Sequence, residues 1–193
     1  MKKRIAIFAS GSGTNAQNII QHFKSSTIGE VVLVLSNKRH ARVLERAENE
    51  DIKSLYFHKD DLYEKDGVLA ILKATGVDFI VLAGFLLMFP EIILNEYPGK
   101  VINIHPALLP KYGGKGMYGK YVHEAVIANK EKVTGITIHL VNEAYDEGAI
   151  LFQATTGISE EDTPETVAEK VHQLEYEFFP KVIESLLTSE EDG

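Results

Sequence analysis

Three groups of residues in this 193-residue chain have types and spacings that can do chemistry. The most specific is Asn103-Ile104-His105-Pro106-Ala107-Leu108-Leu109-Pro110. Asn103 and His105 alternate along a run that reads as a strand, so both side chains leave the same face. They stand at its carboxyl end, where open α/β sheets place their ligands. An amide donor beside an imidazole can polarise a carbonyl oxygen and stabilise the oxyanion that forms when an amine attacks it. A lone histidine at a strand end is more often structural, bonded to backbone. The amide partner and the Pro-rich turn behind it shift the balance towards a site. The second group is Asp146, in Asn142-Glu143-Ala144-Tyr145-Asp146-Glu147-Gly148. A carboxylate close to an imidazole favours the charged ring, fixes its orientation and can take up a proton through water. Spacing leaves open whether Asp146 reaches His105 or is an acidic turn residue beside Glu147. The third is Ser10-Gly11-Ser12-Gly13-Thr14-Asn15, a glycine turn that lets backbone approach a ligand and ends on a helix N-terminus able to hold an anion. It is not a dinucleotide fingerprint, because Ala16 occupies the third glycine position, nor a Walker A loop. It reads either as a phosphate or other anion site or as a tight turn capped by Thr14 or Asn15.

Other features carry less. His139 alternates with Thr137 and reads first as a satisfied structural histidine, second as a cavity residue. His22, His40, His58, His123 and His172 have no metal-ligand spacing with one another, and no metal is expected. Phe85-Leu86-Leu87-Met88-Phe89 reads as core packing, or as an apolar loop that receives a flat aromatic ring.

These groups need a scaffold, and the hydrophobic pattern supplies one. Ile5–Ala9, Val31–Leu35, Ser54–Phe57, Phe79–Ala83 and Val101–His105 read as strands, several of them almost wholly apolar as strands covered on both faces are. Helical patterns alternate with them, from about Asn15, over Arg42–Glu50 and over Leu62–Thr75, which implies right-handed crossovers and a parallel sheet. Gly135–Val141 and Ile150–Thr155 lie close together across a turn and predict an antiparallel extension. A last helix is expected from Thr163-Pro164, with Asp162 and Glu165 as its capping box and an apolar stripe of Val167, Val171, Leu174, Phe178 and Val182. The prediction is a Rossmann-like α/β fold with a mainly parallel sheet flanked by helices, organised as one domain over residues 1–193, with residues 189–193 a frayed acidic tail.

The composition is that of a soluble globular protein, 45% hydrophobic and 25% charged. A net charge of −8, from 28 acidic and 20 basic residues, argues against a broad nucleic-acid face. It leaves room for a local basic pocket for one phosphate. With no cysteine, disulfides, thiolate metal sites and a catalytic thiol are ruled out. No apolar run approaches the roughly 20 residues that span a bilayer, and the apolar run after Lys2-Lys3-Arg4 passes into a glycine turn rather than a cleavage site. The chain reads as cytoplasmic.

With these residues in place, the chain resembles the phosphoribosylglycinamide formyltransferases, folate-dependent transformylases of de novo purine synthesis. The likeness runs from Ile5 through the last helix. It is carried by the Ser10–Asn15 loop, Val81-Leu82-Ala83-Gly84-Phe85, Asn103 to Pro110 with Lys111-Tyr112, and the Asp146-x-Gly148 turn followed by Ile150-Leu151-x-Gln153-Ala154. The resemblance implies 10-formyltetrahydrofolate as formyl donor and 5'-phosphoribosylglycinamide as acceptor. It makes Asn103, His105 and Asp146 the catalytic trio, with Asp146 keeping His105 charged and the formyl group passing directly. It gives Gly13, Thr14 and Asn15 to the ribose phosphate, and His172, Gln173, Leu174 and Glu175 to the rest of that substrate, Glu175 to the ribose hydroxyls. Helix spacing sets Glu175 over Val171, which allows an inward aim, although a helix Glu is more commonly solvated. The folate pterin would lie against Leu86, Leu87, Met88 and Phe89 and against Asn142, Glu143, Ala144, Tyr145 and Asp146, with Asn103 also in contact.

The chain departs from the family pattern in three places. Leu87 stands where many members carry Arg. The basic residue for the folate tail falls in an unaligned stretch, with Lys59 or Lys65 as candidates. The Gly113–Gly119 loop is longer and richer in glycine, and is expected to close over substrate. Leu109-Pro110 is expected to be cis, turning the chain sharply beside the site. The rivals are a tRNA formyltransferase, for which the chain lacks a basic RNA-binding domain, a formyltetrahydrofolate hydrolase, and a non-catalytic nucleotide-binding module. The last leaves the convergence of Asn103, His105 and Asp146 unexplained.

Overall fold

The computed structural model describes residues 1–189. The expected tail therefore begins on Ser189, which is the last helical residue, and its remainder lies outside the described residues. Seven strands form one sheet: β1 (Lys3–Phe8), β2 (Gly29–Ser36), β3 (Ser54–Tyr56), β4 (Phe79–Leu82), β5 (Val101–His105), β6 (Val133–Leu140) and β7 (Ile150–Gly157). Their order is β3-β2-β1-β4-β5-β6-β7. The pairs from β3 to β5 are parallel, whereas β5–β6 and β6–β7 are antiparallel. The Rossmann-like α/β fold with an antiparallel extension is thus what the chain adopts.

Strand alternation divides the core. Ile5 and Ile7 of β1 face one layer, built with α1 (Thr14–Phe23), α2 (Arg42–Asn49) and α6 (Pro164–Ser189). Ala6 and Phe8 face the other, built with α3 (Ala70–Thr75) and α4 (Glu91–Leu94). After β1 the chain runs outward through β2 and β3, then returns to add β4 on the other side of β1. The loops after β1 and β4 diverge at that reversal, which opens a crevice at the carboxyl ends of the strands.

Three local expectations are corrected. The helix predicted over Leu62–Thr75 breaks into a 3₁₀ turn at Asp60–Leu62, a π-type segment at Lys65–Leu69 and α3. The cause is Gly67, which has φ −92° and ψ −125°; a Cβ there would lie 2.0 Å from the Asp61 carbonyl oxygen, so the chain doubles back where only glycine fits. The cap of α6 is Thr163 with Thr166, each hydroxyl accepting from the other's backbone N–H at 3.3 and 3.0 Å. Asp162 instead accepts from Lys170 Nζ at 2.6 Å and from Ser159 N at 2.7 Å. The buried stripe of α6 is Val167, Val171, Glu175, Phe179, Ile183 and Leu187, with Leu174, Phe178 and Val182 half-buried on its flank. Steps of four overshoot a 3.6-residue turn, so the stripe winds around the helix and carries Glu175 into the interior. An unpredicted helix, α5 (Lys120–Ala128), packs Val122 and Val126 against Ala107 and follows the glycine-rich loop.

Candidate active site

The crevice is a cavity of about 860 Å³, large enough for more than one small-molecule moiety. It is lined by the glycine loop, the loop after β4, the end of β5, the 142–146 turn, α5 and α6. Each wall follows from local sequence.

On the first wall, Gly13 is left-handed at φ 73°, and α1 begins with no side-chain cap and no acidic residue in its first turn. The first-turn N–H groups therefore face the cavity rather than a protein acceptor, the arrangement that receives an anion. Gly13 is required twice, since a Cβ would also lie 2.4 Å from Val43 Cβ. Neither Thr14 nor Asn15 caps the helix. Asn15 Nδ2 donates to Glu175 Oε2 at 2.9 Å, while its buried Oδ1 has no protein partner. Glu175 Oε2 also accepts from His172 Nδ1 at 2.8 Å, which raises the His172 pKa against the opposing effect of burial. Gln173 is exposed and Leu174 packs with the core, and neither lines the cavity; only His172 and Glu175 of that helical segment do.

On the second wall, Leu86, Leu87, Met88 and Phe89 all border the cavity, Phe89 being 3% exposed and stacked edge-on against Phe8 at 5.2 Å. Leu87, at the position of the missing Arg, packs against the same apolar cluster. Ser10 joins the two walls: its hydroxyl donates to Asn37 Oδ1 at 2.7 Å and accepts from Leu86 N–H at 3.1 Å. Lys59 and Lys65 are exposed and do not line the cavity. Asn142, Ala144, Tyr145 and Asp146 line the far side, whereas Glu143 points elsewhere.

At the centre, Asn103, His105 and Asp146 converge, and His139 completes the group. β5 pairs with β6 in a register that sets Asn103 opposite His139 and His105 opposite Thr137. His139 Nδ1 lies 2.8 Å from the Leu140 carbonyl, which can only accept, so the ring proton sits there. Nε2 then accepts from Asn103 Nδ2 at 3.1 Å, which fixes the amide's orientation and leaves its second N–H for a ligand oxygen. His139 is thus the residue underweighted as a structural histidine. The one signal in the sequence was its alternation with Thr137, a residue that serves the same site. Thr137 Oγ1 donates to the Ala107 carbonyl at 2.7 Å and accepts from Leu109 N at 3.0 Å, holding the turn that ends in the cis Leu109–Pro110 peptide.

His105, 3% exposed, donates from Nε2 to the Tyr112 carbonyl at 2.7 Å. Its Nδ1 stands 3.5 Å from Asp146 Oδ2, too long for a good direct bond, so that side keeps capacity for a ligand atom. Acceptors on both ring nitrogens suit an imidazolium. Burial opposes this and wins, holding the pKa below the usual histidine value despite the upward pull of Asp146 and Tyr112. Asp146 thus limits the loss of charge on His105 rather than enforcing the charge. Burial also works to raise the Asp146 pKa, but His105 and the Gly114 N–H at 2.9 Å work against it, and the carboxyl stays below its usual range. Asp146 is held at φ 57°, a strained conformation for a non-glycine residue. The turn that imposes it rests on Gly148, where a Cβ would lie 1.6 Å from the Leu140 carbonyl oxygen. Gly148→Ala is expected to cost about 2–3 kcal/mol of stability and to displace Asp146, read as a lower Tm together with lost turnover.

Among the described residues no group of His, Cys, Asp or Glu is placed to hold a metal ion, and no helix is long and apolar enough to cross a membrane. The cavity brings together an amide, two imidazoles, a carboxylate and an uncapped helix end, groups with which acyl transfer to a phosphorylated acceptor can be carried out.

Comparison with known proteins agrees. The family model described as formyl transferase matches residues 3–183, and the chain belongs to that family. Relatives named as phosphoribosylglycinamide formyltransferases are among its matches. Phosphoribosylglycinamide formyltransferase of Bacillus subtilis is 36% identical, over 96% of this chain and 95% of its own. The chloroplastic phosphoribosylglycinamide formyltransferase of Arabidopsis thaliana is 38% identical, over all of this chain and 69% of its own. The crystal structure of the Bacillus halodurans phosphoribosylglycinamide formyltransferase superposes with a TM-score of 0.86 at 39% identity, over 96% of this chain and 95% of that one.

Proposed function

We propose that this chain transfers the formyl group of 10-formyltetrahydrofolate to the glycyl amine of 5'-phosphoribosylglycinamide, a step of purine biosynthesis, in the cytoplasm and without a metal. The observation that carries the reading is the meeting of Asn103, His105 and Asp146 beside the uncapped start of α1. The phosphate docks on the N–H groups of Gly13, Thr14 and Asn15, and the ribose hydroxyls on Glu175. The pterin lies against Leu86–Phe89 and the 142–146 turn, and no nucleic acid or membrane takes part. The glycyl nitrogen attacks the formyl carbon and a C–N bond forms. The carbonyl π electrons move to oxygen, where Asn103 Nδ2–H and the Nδ1–H of His105 in its charged form hold the oxyanion. Asp146, ionised at neutral pH, receives the proton of the attacking nitrogen, directly or through water. The carbonyl re-forms, the bond to the folate nitrogen breaks, and that nitrogen leaves with the proton that Asp146 took up, which restores the carboxylate.

Incubation of the purified protein with 10-formyltetrahydrofolate and the ribonucleotide tests this, with water and aminoacyl-tRNA as competing acceptors. Formylated ribonucleotide as the main product supports the reading; formate or formyl-aminoacyl-tRNA alone sinks it. Asn15→Ala is expected to raise the KM for the ribonucleotide about tenfold, with the folate KM unchanged. It removes the side-chain tie that holds Glu175 while leaving the backbone N–H groups at the phosphate in place.

A further inference from the structure

One polar group in the cavity has no part in the chemistry above. His123 sits on the inward face of α5 beside Val122, is 3% exposed, and borders the cavity. Its Nδ1 is buried without a protein partner. A buried polar atom left unpaired costs stability, and most such atoms are bonded. No protein partner commits this nitrogen, and the residue that carries it lines the cavity. The charged or titratable groups that act on the ring are His172, Glu175 and His105. The first two mark where a ribose would lie and the third where a formyl group would lie.

We infer that His123 is a substrate-binding residue, accepting a hydrogen bond from the N–H donors of the glycinamide moiety between the ribose and the attacking nitrogen. This rests on the function proposed above. A neutral imidazole is the species that can accept, and burial, reinforced by His172, keeps the His123 pKa low enough to leave it neutral. A bond there would hold the glycyl nitrogen in line with the formyl carbon. The family motifs that named the other site residues do not include position 123, because α5 follows a glycine-rich loop and shows no long apolar repeat.

The test is steady-state kinetics of His123→Leu, His123→Asn and His123→Gln with both substrates, together with thermal melting. His123→Leu is expected to lower kcat/KM for the ribonucleotide about ten- to thirtyfold while the folate KM stays within twofold. Its Tm should hold or rise, since no protein hydrogen bond is lost. One of the amides, Asn placing an acceptor near Nδ1 and Gln near Nε2, should recover most of the loss. His123→Leu with unchanged ribonucleotide kinetics overturns the inference, and so does an equal loss on both substrates with a lower Tm. A wild-type protein that formylates no ribonucleotide overturns the proposed function and this inference together, whereas an active wild type beside an unaffected Leu variant overturns only this one.

Discussion

His105→Asn is expected to lower kcat about a thousandfold and to leave the KM of both substrates within about threefold. The size follows from the two tasks given to the imidazole. Deleting one oxyanion donor typically costs a factor of 10²–10³, and misplacing a proton-transfer group a further factor of about ten or more. The KM values stay because phosphate, ribose and pterin are held by other walls of the cavity. Asparagine keeps polarity in a site that is 3% exposed, so packing loss is small. It cannot reach the Tyr112 carbonyl and the Asp146 side at once, as the ring does. Stopped-flow or steady-state turnover with a thermal melt on the same preparation separates chemistry from folding. A variant with more than a tenth of normal turnover would leave His105 without the role drawn for it.

Asp146→Asn has the second largest effect, an expected loss of several hundredfold in kcat with a displaced pH profile. The carboxylate is 3.5 Å from a nitrogen of each of His105 and His139 and accepts the Gly114 N–H. The amide keeps the shape but not the charge. The sign of the pH change follows from the shifts. Burial already depresses the His105 pKa, and Asp146 pulls it back up. Removing that charge lowers it further, so the decline of activity as His105 loses its proton moves to lower pH. The remaining activity should therefore fall away at a more acidic pH than in the wild type. An unmoved limb would mean that Asp146 does not act on His105.

Much of this was legible in the residues, for identifiable reasons. β1, β4 and β5 are buried on both faces, so they appear as solid apolar runs. The Asn103-x-His105 alternation survives into space because a strand is straight over three residues. Glu175 could be aimed inward because a helix repeats reliably over four. What was lost is what depends on partners far away in sequence. The link from Asp146 to His105 needs the antiparallel register of β5 and β6, which no local pattern encodes. His139 looked ordinary because the residue that gives it meaning is Asn103, 36 positions earlier. The break at Gly67 depends on the Asp61 carbonyl above it, and the Thr163–Thr166 cap won over Asp162 because Lys170 claims that carboxylate. Helix α5 was hidden behind seven residues of glycine-rich loop, and His123 with it.

The most direct test is a structure of the protein with the ribonucleotide and a non-transferable 10-acyl folate analogue bound together. The acyl oxygen is expected within hydrogen-bonding distance of both Asn103 Nδ2 and His105, with Asp146 turned towards the glycyl nitrogen. An acyl oxygen held elsewhere, or Asp146 facing solvent well away from the other two, would contradict the account.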